Sequence, residues 1–255
     1  MMNNKPIGVF DSGIGGLTVL NNLIKELPNE HYIYIGDNKN CPYGDKTKEE
    51  LFCYASSIID YFIVRDVKLI VVGCNTVSSS ILPLLYNKYP NIKIIGIIDS
   101  TVNLLIKSKS KKALVIATKA TINSHAYKKN IEENSSVKVI ELATPSLVPL
   151  IEDGLLKEAS LALNNYLDQV DDDYDSIVMG CTHYGVIDNI PNNKTIISSS
   201  DGIVNDVGVY LNNNNLYGKE KKIEIYTTGD VLKFISSSKT FFNYNNNKVK
   251  QLKLH

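Results

Sequence analysis

The sequence predicts an α/β fold: two similar lobes, each with a central parallel sheet flanked by helices, related by a pseudo-twofold axis, with the functional site in the cleft between them. Short apolar runs alternate with amphipathic stretches, which is the pattern of parallel strands joined by helices. The strand-like runs fall into two sets. Landmark positions at the strand ends recur at one offset of 107 residues, pairing Asp11 with Thr118, Asp37 with Thr144, and Cys74 with Cys181. Two such lobes would turn their strand carboxyl ends toward a shared cleft, where open α/β sheets bind ligands.

The first set of strands is expected at Ile7–Phe10, Tyr32–Ile35, Leu69–Val72 and Lys93–Ile97, and the second at Ala113–Ile116, Val137–Leu142, Ser176–Met179 and Thr195–Ile197. Between the first strands, Leu17, Leu20, Ile24 and Leu27 have helical spacing over Leu17–Glu26. Leu51, Ala55, Ile58, Ile59 and Phe62 mark one face of a helix over Thr47–Arg65. The asparagine run Asn212–Asn215 reads as a loop. Beyond it, Ile223–Thr227 has no counterpart in the repeat and is expected to return to the first lobe. The expected division is residues 1–98 with 209–255 for the first lobe and 99–208 for the second.

Composition narrows the function. Across 255 residues, hydrophobic side chains make up 44%, enough for a full core. Lys+Arg and Asp+Glu are 27 each, a balance that argues against a nucleic-acid grip or a polybasic membrane anchor. Arg65 is the lone arginine, so a carboxylate ligand cannot rely on bidentate guanidinium clamps. No apolar run has the ~18 residues of a membrane span, and Met1–Lys5 runs straight into the first strand without a signal peptide. A soluble, cytoplasmic protein is expected. Cys41, Cys53, Cys74 and Cys181 show no CxxC spacing, which argues against a zinc site or a disulfide framework.

Two cysteines stand out. Cys74 follows Ile70-Val71-Val72-Gly73 and Cys181 follows Ile177-Val178-Met179-Gly180, so each ends a strand at the binding edge. The Asn75-Thr76 and Thr182-His183 that follow suit helix N-caps, and a thiol near exposed N–H groups is expected to have its pKa lowered toward neutrality. A packing role is the alternative, and it is preferred for Cys41 and Cys53. A Cys74–Cys181 disulfide is possible but rare in a reducing compartment, and a metal held by Cys74, Cys181 and His183 lacks a fourth ligand.

Asp11-Ser12-Gly13 followed by Ile14-Gly15-Gly16 forms a glycine-rich turn into a helix, suited to an anion but lacking the phosphate-loop and dinucleotide patterns. Asp11 could anchor an ammonium or orient a thiol, or simply cap a helix. His183 could polarise Cys181, or be a surface imidazole. Pro42-Tyr43-Gly44 suggests a rigid turn presenting a phenol to the cleft, a core tyrosine being the alternative. Thr76, Thr118, Thr121 and Thr182 could each hydrogen-bond a carboxylate.

Taken together, these motifs resemble the glutamate racemases of the aspartate/glutamate racemase family. The resemblance runs over nearly the whole chain, through Gly8–Val19, Pro42-Tyr43-Gly44, Cys74-Asn75-Thr76, Ile116-Ala117-Thr118, Pro145–Glu152, Gly180–Tyr184 and Thr227–Asp230. It implies an isomerase that interconverts L- and D-glutamate without pyridoxal phosphate, metal or other cofactor, a homodimer, and a role in supplying D-glutamate for bacterial peptidoglycan. It implies that Cys74 and Cys181 are the two proton-transferring groups, one thiolate and one thiol, with Asp11 assisting the first and His183 the second. Substrate contacts would come from Asp11, Ser12, Pro42, Tyr43, Gly44, Asn75, Thr76, Thr118, Thr121, Glu152, Thr182 and His183. Gly185, Asn40 and Ser100 depart from the family pattern. A racemase of aspartate or another small amino acid, or a non-catalytic two-lobe binding protein, are the competing expectations.

Overall fold

The computed structural model describes residues 3–188, 190–191, 193–244 and 247–254. Strand β1 (Ile7–Asp11) turns through Gly15-Gly16 into α1 (Leu17–Glu26), and β2 (His31–Gly36) leads by a 3-10 turn at Tyr43–Asp45 into α2 (Lys48–Val64). Next come β3 (Leu69–Val72), α3 (Asn75–Ser80), α4 (Leu82–Lys88), β4 (Ile94–Gly96) and α5 (Ile97–Lys107). The second unit comprises β5 (Lys112–Ala117), α6 (Lys119–Asn123), α7 (Ala126–Asn134), β6 (Lys138–Ala143), α8 (Leu147–Glu152), α9 (Leu156–Leu167), β7 (Ser176–Gly180) and β8 (Thr195–Ser198). Helix α10 (Ser199–Asn213), β9 (Lys222–Thr227), α11 (Val231–Ser237) and β10 (Val249–Gln251) complete the chain.

The strands form two wholly parallel sheets, one ordered β10-β9-β2-β1-β3-β4 and the other β6-β5-β7-β8. The order 2-1-3-4 of the first four strands is repeated by the second four, as a duplicated unit requires. The offset needs one correction. Ile7 faces Tyr32 and Leu69, whereas Ala113 faces Val139 and Ser176, so the first strand maps at 106 residues and the next two at 107. Asp11 therefore corresponds to Ala117, and Thr118 to Ser12. One residue fewer separates the first strand from its equivalent than the next two, a shift that strand-end landmarks cannot reveal.

Burial follows the sheet. The strands β1, β3, β5 and β7 are apolar on both faces, as strands covered by helices on each side must be. One core cluster runs from Val9, Leu17 and Val71 through Ile98 and Val102 to Val115 and Val178, joining the two sheets. A second, with Phe10, Ile33, Ile58, Phe62 and Val72, fills the far face of the larger sheet. Thr47 and Glu50 form a capping box at the start of α2, whose buried stripe is Leu51, Ala55, Ile58, Ile59 and Phe62. Gly8 is needed beneath that stripe, since a Cβ there would lie 2.9 Å from the Phe62 ring.

The tail returns to the larger sheet by pairing β9 with β2 and β10 with β9. Arg65 at the end of α2 clamps it, donating to both Glu224 carboxylate oxygens at 2.9 and 3.0 Å. The asparagine run is only partly a loop: α10 continues through Asn213, and Asn215 takes the left-handed conformation that asparagine tolerates. Among the described residues, no helix is long and apolar enough to cross a membrane.

Candidate active site

The ends of β1, β3 and β7 bring Asp11, Cys74 and Cys181 together. All four cysteines are free thiols, so the disulfide alternative does not hold. Cys74 and Cys181 are both buried, and a negative charge on Cys181 is felt at Cys74. Cys74 itself is the N-cap residue of α3, and Cys181 that of a 3-10 turn over Thr182–Val186; the Asn and Thr that follow lie inside those segments. At six and five residues, these segments offer little dipole.

The expected drop in the Cys74 pKa is overturned. Burial and the adjacent Asp11 carboxylate push it up to about 12, outweighing the Val77 N–H and the Ser12 hydroxyl that favour the thiolate. Asp11 is buried too, and burial raises its own pKa, opposed by the His183 charge, the Gly13 N–H and the Thr182 hydroxyl. Gly13 N and Thr182 Oγ1 donate to its two oxygens at 3.0 and 3.1 Å. The latter bond crosses between the sheets. Gly16 has no room for a side chain, since a Cβ would lie 2.3 Å from Asp11 Cβ.

His183 is no surface imidazole, being 1% exposed. Its Nδ1 lies 3.6 Å from Cys181 Sγ and its Nε2 2.7 Å from Glu152 Oε1. Burial disfavours the imidazolium, but the hydrogen bonds to Cys181 and Glu152 prevail and hold its pKa well above the ordinary value. For Glu152 burial acts upward, yet His183, the Ile14 N–H and the Cys41 thiol bring its pKa below the carboxylate norm. Ile14 N donates to Glu152 Oε1 at 2.9 Å, and Asn38 Nδ2 to Oε2 at 3.0 Å. A Cys181–His183–Glu152 relay results, anchored by residues of both sheets. Gly15 seats it: a Cβ there would lie 2.5 Å from His183 Nδ1 and 2.7 Å from Thr182 Oγ1.

The hydroxyls form their own chain. Thr118 Oγ1 lies 2.9 Å from Thr76 Oγ1 and 3.1 Å from Thr121 Oγ1, again joining the two sheets. Asn75 is fixed on both sides of its amide, accepting from Tyr127 Oη at 2.6 Å and donating to Ser199 Oγ at 3.1 Å. The Pro42-Tyr43-Gly44 turn reaches across to Thr118, whose Cβ would lie 3.0 Å from a Cβ on Gly44. Tyr43 does not present its phenol to the cleft. Its ring is buried in the second core cluster, and its hydroxyl donates to Asp37.

Three contacts were not legible in the sequence. Asp37 gathers Tyr43, Thr228 and Asn40, so the neutral Asn40 serves a carboxylate. Asn38 holds Glu152. The Cys41 thiol packs against the core as expected and also meets Glu152; among the described residues, Cys41, Glu152 and His183 are the one group whose metal-type ligand atoms all lie within 4.8 Å of one another. Cys74, Cys181 and His183, the metal set disfavoured from the sequence, are not such a group. Cys53, also expected to pack, is exposed on α2. Asp37 and Asn38 follow the end of β2, the only local signal they carry.

The chain is similar to known proteins over nearly its whole length. The family model for Asp/Glu/Hydantoin racemase matches residues 7–200. A glutamate racemase of Fusobacterium nucleatum is 39% identical, the match covering 92% of this chain and 93% of that protein. One of Lactobacillus johnsonii is 34% identical over 95% of each. Among solved structures, a glutamate racemase isoform of Bacillus anthracis superposes with a TM-score of 0.91 at 30% identity, covering 99% of this chain and 98% of that one. The Francisella tularensis glutamate racemase, in complex with D-glutamate, gives 0.88 at 32% identity, covering 99% and 97%. With matched strands, matched length and a shared family model, the chain belongs to the Asp/Glu/hydantoin racemase family of amino-acid racemases.

Proposed function

We propose that the protein interconverts L- and D-glutamate by proton transfer between two thiols, without a cofactor. The observation that carries this reading is the placement of two buried free cysteines at the ends of equivalent strands, β3 and β7, each with a different ionisable partner: Asp11 beside Cys74, and His183 beside Cys181. Inverting a stereocentre needs a base on one face of the carbon and an acid on the other. The similarity to glutamate racemases supports glutamate as the substrate.

One sulfur, as thiolate, takes the α-proton, and the other, as thiol, delivers a proton to the opposite face. The roles exchange with the direction of reaction. The substrate ammonium has Asp11 as its counter-charge, and its arrival offsets the repulsion that Asp11 exerts on a Cys74 thiolate. On the other side, His183 holds charge opposite Cys181 and passes a proton along Nδ1, while Glu152 fixes its second nitrogen. The α-carbanion develops charge toward its carboxylate, where donors replace the missing arginines. Ser12, Asn75, Thr76, Thr118, Thr121 and Thr182, with the backbone of the turn Pro42, Tyr43 and Gly44, are the residues proposed to bind substrate. Because both thiols are buried, substrate enters when the two sheets part across the Thr76–Thr118 and Asp11–Thr182 contacts. D-glutamate so formed would serve peptidoglycan synthesis.

The test is deuterium wash-in. Purified protein in deuterated buffer, with no added cofactor, is given L-glutamate, D-glutamate or L-aspartate. Incorporation at the α-carbon of both glutamate enantiomers is expected, and racemisation, read by chiral chromatography, should fall at least about 10²-fold in Cys74→Ala and Cys181→Ala. Full-rate racemisation in either variant would remove the two-thiol mechanism, and exchange with aspartate alone would remove the substrate.

A further inference from the structure

We propose that Cys41, Glu152 and His183 form a binding site for a soft divalent cation of the zinc type, and that occupation of this site stops turnover. The effect on turnover rests on the racemase reading; the binding does not. Sulfur, carboxylate oxygen and imidazole nitrogen are the donors zinc selects, and three protein ligands with one open position make an exchangeable tetrahedral site. Here the three ligand atoms lie within 4.8 Å of one another and come from three separate segments: the loop after β2, the end of α8 and the turn after β7.

The surroundings fit such an ion. A metal-bound imidazole keeps its other nitrogen engaged, and His183 Nδ1 already faces Cys181 Sγ at 3.6 Å. The second Glu152 oxygen is likewise held by Asn38 Nδ2 at 3.0 Å. Gly13 closes the site with backbone alone, since a Cβ there would lie 2.0 Å from Glu152 Oε1 and 3.2 Å from Cys41 Sγ. A cavity of about 210 Å³ reaches Cys41 and Glu152, giving an ion access and room for a water as fourth ligand; its lining includes Asp230 and Asp153, the latter paired with Lys233 at 3.1 Å. Tetrahedral ligands lie about 3.3–3.6 Å apart, so Glu152 Oε1 has to withdraw from its 2.7 Å contact with His183 Nε2 while ligand atoms up to 4.8 Å apart draw together.

On binding, the Cys41 thiol and His183 Nε2 each release a proton to solvent, and the ion takes the vacated electron pairs. His183 is then fixed as an Nδ1–H donor to Cys181, and Glu152 no longer shares a proton with it. The relay that serves Cys181 is thereby broken.

The test combines binding and activity. Metal-free protein is titrated with Zn(II) against a chromogenic chelator, and with Co(II) while the thiolate-to-cobalt absorption is followed. One ion per chain is expected, with a thiolate band that persists in the Cys74→Ser/Cys181→Ser double variant and disappears in Cys41→Ser. Zn(II) should lower wild-type racemisation at least about tenfold through loss of the proton relay, reversibly on adding EDTA, and leave Cys41→Ser turnover unaffected. No binding, a band that survives Cys41→Ser, or one lost from the double variant would overturn the site. Absence of racemisation in metal-free wild type would instead count against the functional reading, with the cobalt titration still deciding the ion site.

Discussion

At the scale of single residues, Cys74 shows how burial and charge compete. Its position at a strand end is legible in the sequence, but its pKa is not, because the Asp11 carboxylate arrives from another strand. Asp11→Asn removes that repulsion. In the free protein, alkylation of Cys74 by iodoacetamide at neutral pH is expected to quicken several-fold, while racemisation falls because the substrate ammonium loses its counter-charge. Both effects are read by mass spectrometry and chiral chromatography on the same preparation. His183 and Glu152 give a pH signature with a definite sign. The raised His183 pKa contributes stability that is full below the ordinary 6.5 and fades as pH rises through its folded value; the lowered Glu152 pKa contributes stability above 4.5 that fades in acid. The melting-temperature difference between wild type and Glu152→Gln should therefore be greatest between those two values and shrink on either side. A difference independent of pH would mean that the pair is not ionised.

At the scale of elements, the strands were the most legible feature: the eight expected strands match observed ones with each end within one residue, and the tail stretch Ile223–Thr227 lies within β9. Fully buried strands announce themselves as apolar runs bounded by glycine and polar turns. β10 was not foreseen, because Val249-Lys250-Gln251 is a mostly exposed edge strand with no apolar run. The turn after Cys181 was expected to open a helix but is 3-10, and the adjoining Gly15 leaves no space for a methyl group. Gly15→Ala should displace His183 and Thr182, costing about 1–3 kcal/mol of stability as overpacking does, and lowering racemisation by a larger factor than the loss of folded protein accounts for. Denaturant titration and kinetics on the same sample would separate the two. Ser100, a departure from the family pattern, joins α5 to α10 through Asp206, and Gly202 lets those helices approach, since a Cβ would lie 2.5 Å from Ser100 O.

At the scale of the whole molecule, the repeat was legible as an offset but its register was not, because only pairing shows that β1 maps at 106 rather than 107. The contacts that close the site, Thr76 to Thr118, Asp11 to Thr182 and Ile14 to Glu152, join residues 42, 171 and 138 positions apart, separations that local pattern cannot connect. The tail is part of the fold. Ending the chain before Lys222 strips β9 and β10 from the larger sheet and exposes the β2 edge, so the truncated protein is expected to lose its cooperative melt and aggregate. A folded, monodisperse product would show that the four-strand unit suffices.

The central claim is spatial: one substrate carbon lies between two sulfurs. A crystal structure of the protein with bound glutamate measures this directly. The account predicts Cys74 Sγ and Cys181 Sγ on opposite faces of Cα, each at about 3–3.5 Å as for reacting atoms, with the ammonium on Asp11. Both sulfurs on one face, or either one out of reach of the α-carbon, would contradict it.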